Sequence, residues 1–263
     1  MVCQATGGPP GAKVLDTLAK AQQLEYTRKI PEAVQLLRQA LEEQGPDSGG
    51  MARLQLQQQI SHVLFTEGKY DEALKEAREV YEGVCSMLGE NTAEAVVFGL
   101  RLGILEAAAG DTTAGNPRIY RAGALVAPNL QRMVEQAQQL GQQGDSSGQL
   151  QELEVAAQKL AVCLGESNYY GSIFTVKHLV EQGRADDVVQ GWENLDTGLM
   201  HGMTNLLVSL PPGTHSIQNA VREHDRLVQE LSNRPELGEL LDQQSARLHR
   251  LIEEGPPEQG FAS

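Results

Sequence analysis

Residues Ile60–Val80, ISHVLFTEGKYDEALKEAREV, decide the fold. The first half carries Ile60, Ser61 and Leu64 at helical spacing, and the second half carries Ala73, Ala77 and Val80. Gly68 stands between them as a turn residue. The stretch therefore predicts a helix from Met51 to Thr66, a turn at Glu67-Gly68-Lys69 and a second helix from Tyr70 to Leu88. Ser61 and Ala73 lie twelve apart across the turn. Two helices that cross closely need small side chains there, because their backbones must approach.

Working outward, the same arrangement precedes this stretch. Leu18–Leu41 reads LAKAQQLEYTRKIPEAVQLLRQAL, with Ile30 in the place of Tyr70. Val14, Leu15, Leu18, Ala21 and Leu24 form an amphipathic stripe over about Val14 to Thr27. A break at Arg28-Lys29-Ile30-Pro31 puts Pro31 in the first turn of the next helix, where its missing N–H is harmless. That helix runs to about Glu43 with Ala33, Val34, Leu37, Ala40 and Leu41 on one face, and GPDSGG (Gly45 to Gly50) ends the unit. Downstream, Glu90 to Ala109 is another first helix and Gly110-Asp111 another turn. The small pairs are Ala21 with Ala33, Ser61 with Ala73, and Gly103 with Gly115; their second members step by 40 and then 42 residues. No such pair of helices can bury its apolar face alone, so the copies must stack.

On these residues the chain resembles the tetratricopeptide repeat family. GKYDEA (Gly68 to Ala73) is similar to that family's turn between its two helices. The 40–42-residue step, longer than the family's usual 34, and Leu88-Gly89-Glu90-Asn91 before the third copy resemble the longer kinesin-light-chain type of repeat. Leu164-Gly165-Glu166-Ser167 precedes a fourth candidate pair, in which Leu179, Gly183, Ala185, Val188, Trp192 and Leu195 take the repeat's places and Val176 and Val188 replace the small pair. The resemblance implies an all-α fold: a right-handed alpha-alpha superhelix, or solenoid, of about four helix pairs plus a C-terminal helical hairpin. It covers residues 14–88 closely and 92–200 in outline.

The expected organisation is a disordered N-terminus over 1–13, helical repeats over 14–210, C-terminal capping helices over 214–254 and a tail over 255–263. Within the repeats, about 111–149 reads as an irregular insertion. Pro117 and Pro128 are read there as excluded from a helix interior, leaving a broken second helix, then helices from about Pro128 to Leu140 and Gly148 to Leu164. Pro211-Pro212-Gly213 is a hard boundary. Thr214 to Ser232 and Pro235 to Glu254 then read as a capping hairpin split at Asn233-Arg234-Pro235.

Composition agrees with helices throughout. Of 263 residues, 40% are hydrophobic and only 4% aromatic, while Gln numbers 26, so a β-rich fold is disfavoured. Net charge is −14, which argues against a binder of nucleic-acid phosphates or anionic membranes. No apolar run approaches the ~20 residues of a membrane span. Cys3, Cys85 and Cys163 are scattered, a pattern that suits a reducing compartment. MVCQATGGPPGAK lacks the basic start and apolar stretch of a signal peptide. The expected setting is intracellular, cytoplasmic or the interior of an organelle; Val2-Cys3-Gln4-Ala5 leaves open a cleaved organelle leader.

No catalytic or metal-binding pattern is legible. His62, His178, His201, His215, His224 and His249 include no H-E-x-x-H pair and read as isolated, solvated side chains. Gly7 to Lys13 superficially resembles a phosphate loop, but the spacing is one residue short and no Ser or Thr follows Lys13. No cofactor is expected. Carboxylates such as Asp71, Glu72 and Glu76 alternate with Lys75 and Arg78, as on a solvated helix face.

A stacked array curves, and the first helix of each pair lines its concave side. That places Leu18, Gln22 and Tyr26 in a groove with Gln58, His62 and Phe65, then Leu100, Arg101 and Ile104, then Ile173 and Lys177. Tyr26 and Phe65 are the sharpest candidates for anchors, unless both pack against neighbouring repeats. Family members that clamp chaperone tails use Lys, Asn and Arg on these helices; here Leu18 and Gln22 stand at those places and only Arg101 keeps the type. Binding of a chaperone C-terminal tail by a carboxylate clamp is therefore not expected. The function expected is a non-catalytic adaptor, scaffold or assembly factor that holds a peptide or helix of another protein. A structural subunit of a larger complex is the alternative, and an enzyme or regulator without a readable motif a minor one.

Overall fold

The computed structural model describes residues 11–44, 50–143, 148–211 and 214–256. Every regular element among them is a helix: α1 (Ala12–Tyr26), α2 (Ile30–Gln44), α3 (Met51–Thr66), α4 (Tyr70–Leu88), α5 (Ala93–Ala108), α6 (Thr112–Gln143), α7 (Gln149–Glu181), α8 (Ala185–Gln190), α9 (Trp192–Ser209), α10 (His215–Leu231) and α11 (Pro235–Glu254). Most of the expected N-terminal and C-terminal tails, the turn at Gly45–Gly49, residues 144–147, and Pro212-Gly213 lie outside the described residues. The chain divides into two compact units, Met1–Asp111 and Thr112–Ser263.

One backbone turn recurs at the end of α1, α3, α5 and α7. A residue in the left-handed region follows the helix: Arg28 (φ 59°), Gly68 (φ 74°), Gly110 (φ 106°) and Gly183 (φ 72°). Each time, its N–H donates to a carbonyl three residues back and the next N–H to one five residues back. The pairs are Arg28 to Glu25 and Lys29 to Leu24, Gly68 to Phe65 and Lys69 to Leu64, Gly110 to Ala107 and Asp111 to Glu106, and Gly183 to Val180 and Arg184 to Leu179. The last carbonyls of the helix are thereby satisfied, and the chain reverses in about three residues. Glycine reaches this conformation without a Cβ clash, whereas Arg28 does not.

In the first unit the small pairs do what their spacing predicts. Ala21 and Ala33 are fully buried, and so are Ser61 and Ala73, where the Ser61 hydroxyl donates to the Ala73 carbonyl at 2.8 Å. Helix α3 is enclosed by α1, α2 and α4, and buries nine of its sixteen residues. Leu54, Val80, Val84 and Ala95 then join α3, α4 and α5 in one apolar cluster.

In the second unit two expectations are corrected. First, α6 runs unbroken through Pro117 and Pro128. Both prolines are exposed, and so are Thr113 and Ala124, whose carbonyls lose their donors. The disturbed backbone thus faces water while the opposite side packs on α7. Asn116 donates to the Phe174 carbonyl at 3.2 Å, Tyr120 to Gly171 at 3.1 Å, and Ser167 to Ile119 at 2.8 Å, so the two helices are stitched antiparallel. Second, Leu164–Ser167 does not start a helix but lies inside α7. Gly165 is there for a crossing: a Cβ on Gly202 of α9 would sit 2.7 Å from the Gly165 carbonyl and 2.6 Å from the Tyr169 nitrogen. The helix that follows the Gly183 turn is interrupted at Gly191, giving short α8 and then α9. Tyr169, fully buried, donates to the Ala220 carbonyl at 3.0 Å and seats α10.

Arg28→Gly is expected to stabilise the first unit by about 1 kcal/mol, seen as a higher urea midpoint at unchanged slope. Gly202→Ala is expected to destabilise the second by about 1–3 kcal/mol, seen as a lower thermal midpoint, although alanine is the better helix former.

Candidate interaction site

Helix α1 buries Val14, Thr17, Ala21 and Glu25, which recur every three or four residues on one face. About a third of the way round the helix from them run Leu15, Ala19, Gln22 and Tyr26, all exposed. Leu15 and Tyr26 are eleven residues apart, three helical turns, and so share a stripe. Leu15 is 53% exposed and Tyr26 79% exposed, the largest uncovered apolar pair on any one helix of this unit among the described residues. Lys20 and Asp16 pair at 2.6 Å along the same helix.

A second surface lies behind α2. Ile30, Val34 and Arg38 of α2, Leu64 of α3, and Lys69 and Glu72 line an open groove of about 680 Å³. Arg38 and Glu72 face each other across it at 3.8 Å. The sequence held a signal for this groove: α2 doubles its apolar positions at Ala33-Val34, Leu36-Leu37 and Ala40-Leu41. That stripe is wider than its neighbours cover, and Val34 is left half-buried.

The residues expected along one groove separate. Gln22, Tyr26 and Arg101 are exposed, and His62 is half-buried. Gln58 (8% exposed) and Phe65 (7%) belong to the interior, so neither is a surface anchor. Phe65 meets Tyr70 edge-on, with ring centroids 5.8 Å apart, because α3 is enclosed on three sides. Leu18 is half-buried, and Leu100, Ile104 and Ile173 are core residues. Lys177 belongs to the second unit, where it is mostly covered and pairs with Glu230 of α10 at 3.3 Å.

Sequence reading also missed the buried polar contacts, because each joins residues far apart in the chain. Glu25 is 2% exposed, and Gln59 of α3 donates to both of its carboxylate oxygens at 3.1 Å. Burial pushes this carboxyl up to about 7, against the smaller opposing effect of the Gln59 hydrogen bond. His224, expected in solvent, is fully buried. The Gln244 amide donates to Asp196 at 3.1 Å, which leaves its oxygen, 3.2 Å from His224 Nε2, to accept from the imidazole. Arg247 pairs with the same Asp196. Burial lowers the pKa of His224, with the Gln244 bond as the lesser, opposing effect. An imidazole so enclosed reaches no substrate; the network fastens α10 and α11 to α9. In the same way Thr112 hydrogen-bonds His178 Nδ1 at 2.9 Å and donates to Glu181 at 3.1 Å, tying α6 to the end of α7.

Neither Cys85 nor Cys163 is joined in a disulfide. Among the described residues no group of three or more His, Cys, Asp or Glu side chains is placed to hold a metal ion. No described helix is long and apolar enough to cross a membrane. In comparisons with known proteins, no family model and no curated protein matches the chain.

Phe65→Ala is expected to destabilise the first unit by about 3 kcal/mol. Tyr26→Ala stays within about 0.5 kcal/mol of the parent. Paired urea titrations separate the core aromatic from the surface one.

Proposed function

We propose that this chain is a non-catalytic protein-interaction module of tetratricopeptide-like build, and that it holds a peptide or helical segment of a partner protein. The architecture is supported by the recurring left-handed turn: Arg28, Gly68 and Gly110 follow one another at 40 and 42 residues, the step of the small-residue pairs. In this reading the pairs stack as a right-handed superhelix and α10–α11 caps it.

The observation that carries the binding role is Tyr26. It stands on the solvent-facing side of α1, in one stripe with Leu15 and one turn beyond Gln22. An aromatic ring with a polar tip is a natural anchor for a partner, and a neighbouring amide supplies directional hydrogen bonds to a peptide backbone. The net charge of −14 supports a protein partner over nucleic acid. Cys85 and Cys163, neither in a disulfide, suit a reducing compartment.

The test uses the full chain, immobilised, with the recovered proteins identified by mass spectrometry. A defined partner is expected with the parent chain. Tyr26→Ala combined with Gln22→Ala should lower its recovery about tenfold or more, with helical circular dichroism and thermal midpoint unchanged. Recovery that survives both substitutions removes the α1 face from the reading. A fixed-stoichiometry assembly insensitive to them points instead to a structural subunit.

A further inference from the structure

A carboxylate in the interior of a helical array normally has a cation against it, since charge taken out of water without one is costly. Glu25 does not follow that rule. It lies on the buried face of α1, between that helix and α3, and its hydrogen-bond partner is the neutral amide of Gln59. The α1–α2 turn carries Arg28 and Lys29, both exposed. The face of α2 toward α1 is apolar, with Ile30, Ala33 and Leu37 buried. On α3 the titratable group next along from Gln59 is His62, half-buried, and Arg53 lies two turns before it. None of these charges acts on Glu25 appreciably; burial and the Gln59 amide do.

Burial without a cation favours the protonated form, against the smaller pull of the Gln59 amide toward the ionised one. A protonated carboxyl still accepts from the Gln59 amide, whose nitrogen lies 3.1 Å from both of its oxygens, and brings no charge into the seam. A carboxylate can only accept, and it brings a full charge into the seam. Opening α1 away from α3 would return that charge to water, whereas opening the protonated form would release nothing.

We propose that Glu25 and Gln59 form a pH-sensitive catch, which keeps α1 seated on α3 while Glu25 is protonated and loosens that seam when Glu25 ionises. The sign follows from linkage. The carboxyl titrates near 7 when closed in and in the ordinary carboxylate range once opened, so the closed seam loses stability as pH rises toward 7 and levels off above it. Between pH 6 and pH 8 the opening constant should rise about tenfold. The switch concerns the α1–α3 seam and is independent of whether Tyr26 contacts a partner.

Hydrogen exchange of the full chain, read by mass spectrometry and corrected for the chemical pH dependence of exchange, tests this. Peptides covering α1 should lose about tenfold in protection from pH 6 to pH 8, while peptides of α4 keep theirs. Glu25→Gln should abolish that loss and hold α1 at its low-pH protection. Independently, the side-chain carboxyl carbon of Glu25 in the labelled parent protein, assigned as the resonance missing in Glu25→Asp, should titrate with a midpoint near 7. A midpoint in the ordinary carboxylate range overturns the proposal. So does a loss of protection that persists in Glu25→Gln or spreads evenly over α1 to α5.

Discussion

The structure depends on one backbone device, the left-handed turn that closes α1, α3, α5 and α7. A helix end leaves four carbonyls without donors. Here two of them are satisfied by the turn itself, so the chain can reverse at once and lay the next residues alongside. That tight reversal fixes which residues meet. With three residues in the turn, positions twelve apart fall opposite each other, and Ser61 reaches the Ala73 carbonyl with its side-chain oxygen. Everything else in the first unit, including the enclosure of α3 and the exposed outer face of α1, follows from that register.

The second unit reuses the turn at Gly183 but builds its centre differently. Its longest helices, α6 and α7, are joined by side-chain to backbone hydrogen bonds, and α9 crosses α7 at a point where glycine meets glycine. The C-terminal hairpin is then fastened through polar groups withdrawn from water, chiefly the chain of Arg247, Asp196, Gln244 and His224. Such contacts contribute geometry more than net stability, since each group gives up hydration to make them. They fix one orientation of the hairpin, where an apolar interface would tolerate several.

What the sequence revealed and what it concealed divide by distance along the chain. Helices α3, α4 and α11 and the turn at Gly68 were legible because local residues determine them. The left-handed Arg28 was not, since nothing but its place in the pattern marks it. Pro117 and Pro128 were misread because a proline's effect depends on which way its helix faces, and the partner helix α7 begins 32 residues after the first and 21 after the second. Two similar strings carry the lesson furthest. Leu88-Gly89-Glu90-Asn91 ends a helix, with Gly89 at φ 90°, whereas Leu164-Gly165-Glu166-Ser167 continues one, because its glycine answers to Gly202, 37 residues on. Tyr26 could be placed outside because it lies off the stripe of Val14 and Ala21. Phe65 could not, because α3 is apolar on several faces and no single stripe tells inside from outside.

The spacing of these contacts also sets an order of assembly. In the first unit α1 meets α2 and α3 meets α4 across three-residue turns, and the Glu25–Gln59 contact joins residues only 34 apart. Such a unit has few long loops to close and can organise early, as the chain emerges. The second unit closes over greater separations: Tyr169 finds Ala220 at 51 residues, and Asp196 finds Gln244 at 48. Its glycine crossing waits for α9, and its polar hairpin cannot be completed until α11 has been made. During synthesis, then, the first half can stand finished while the second waits for its C-terminal helix.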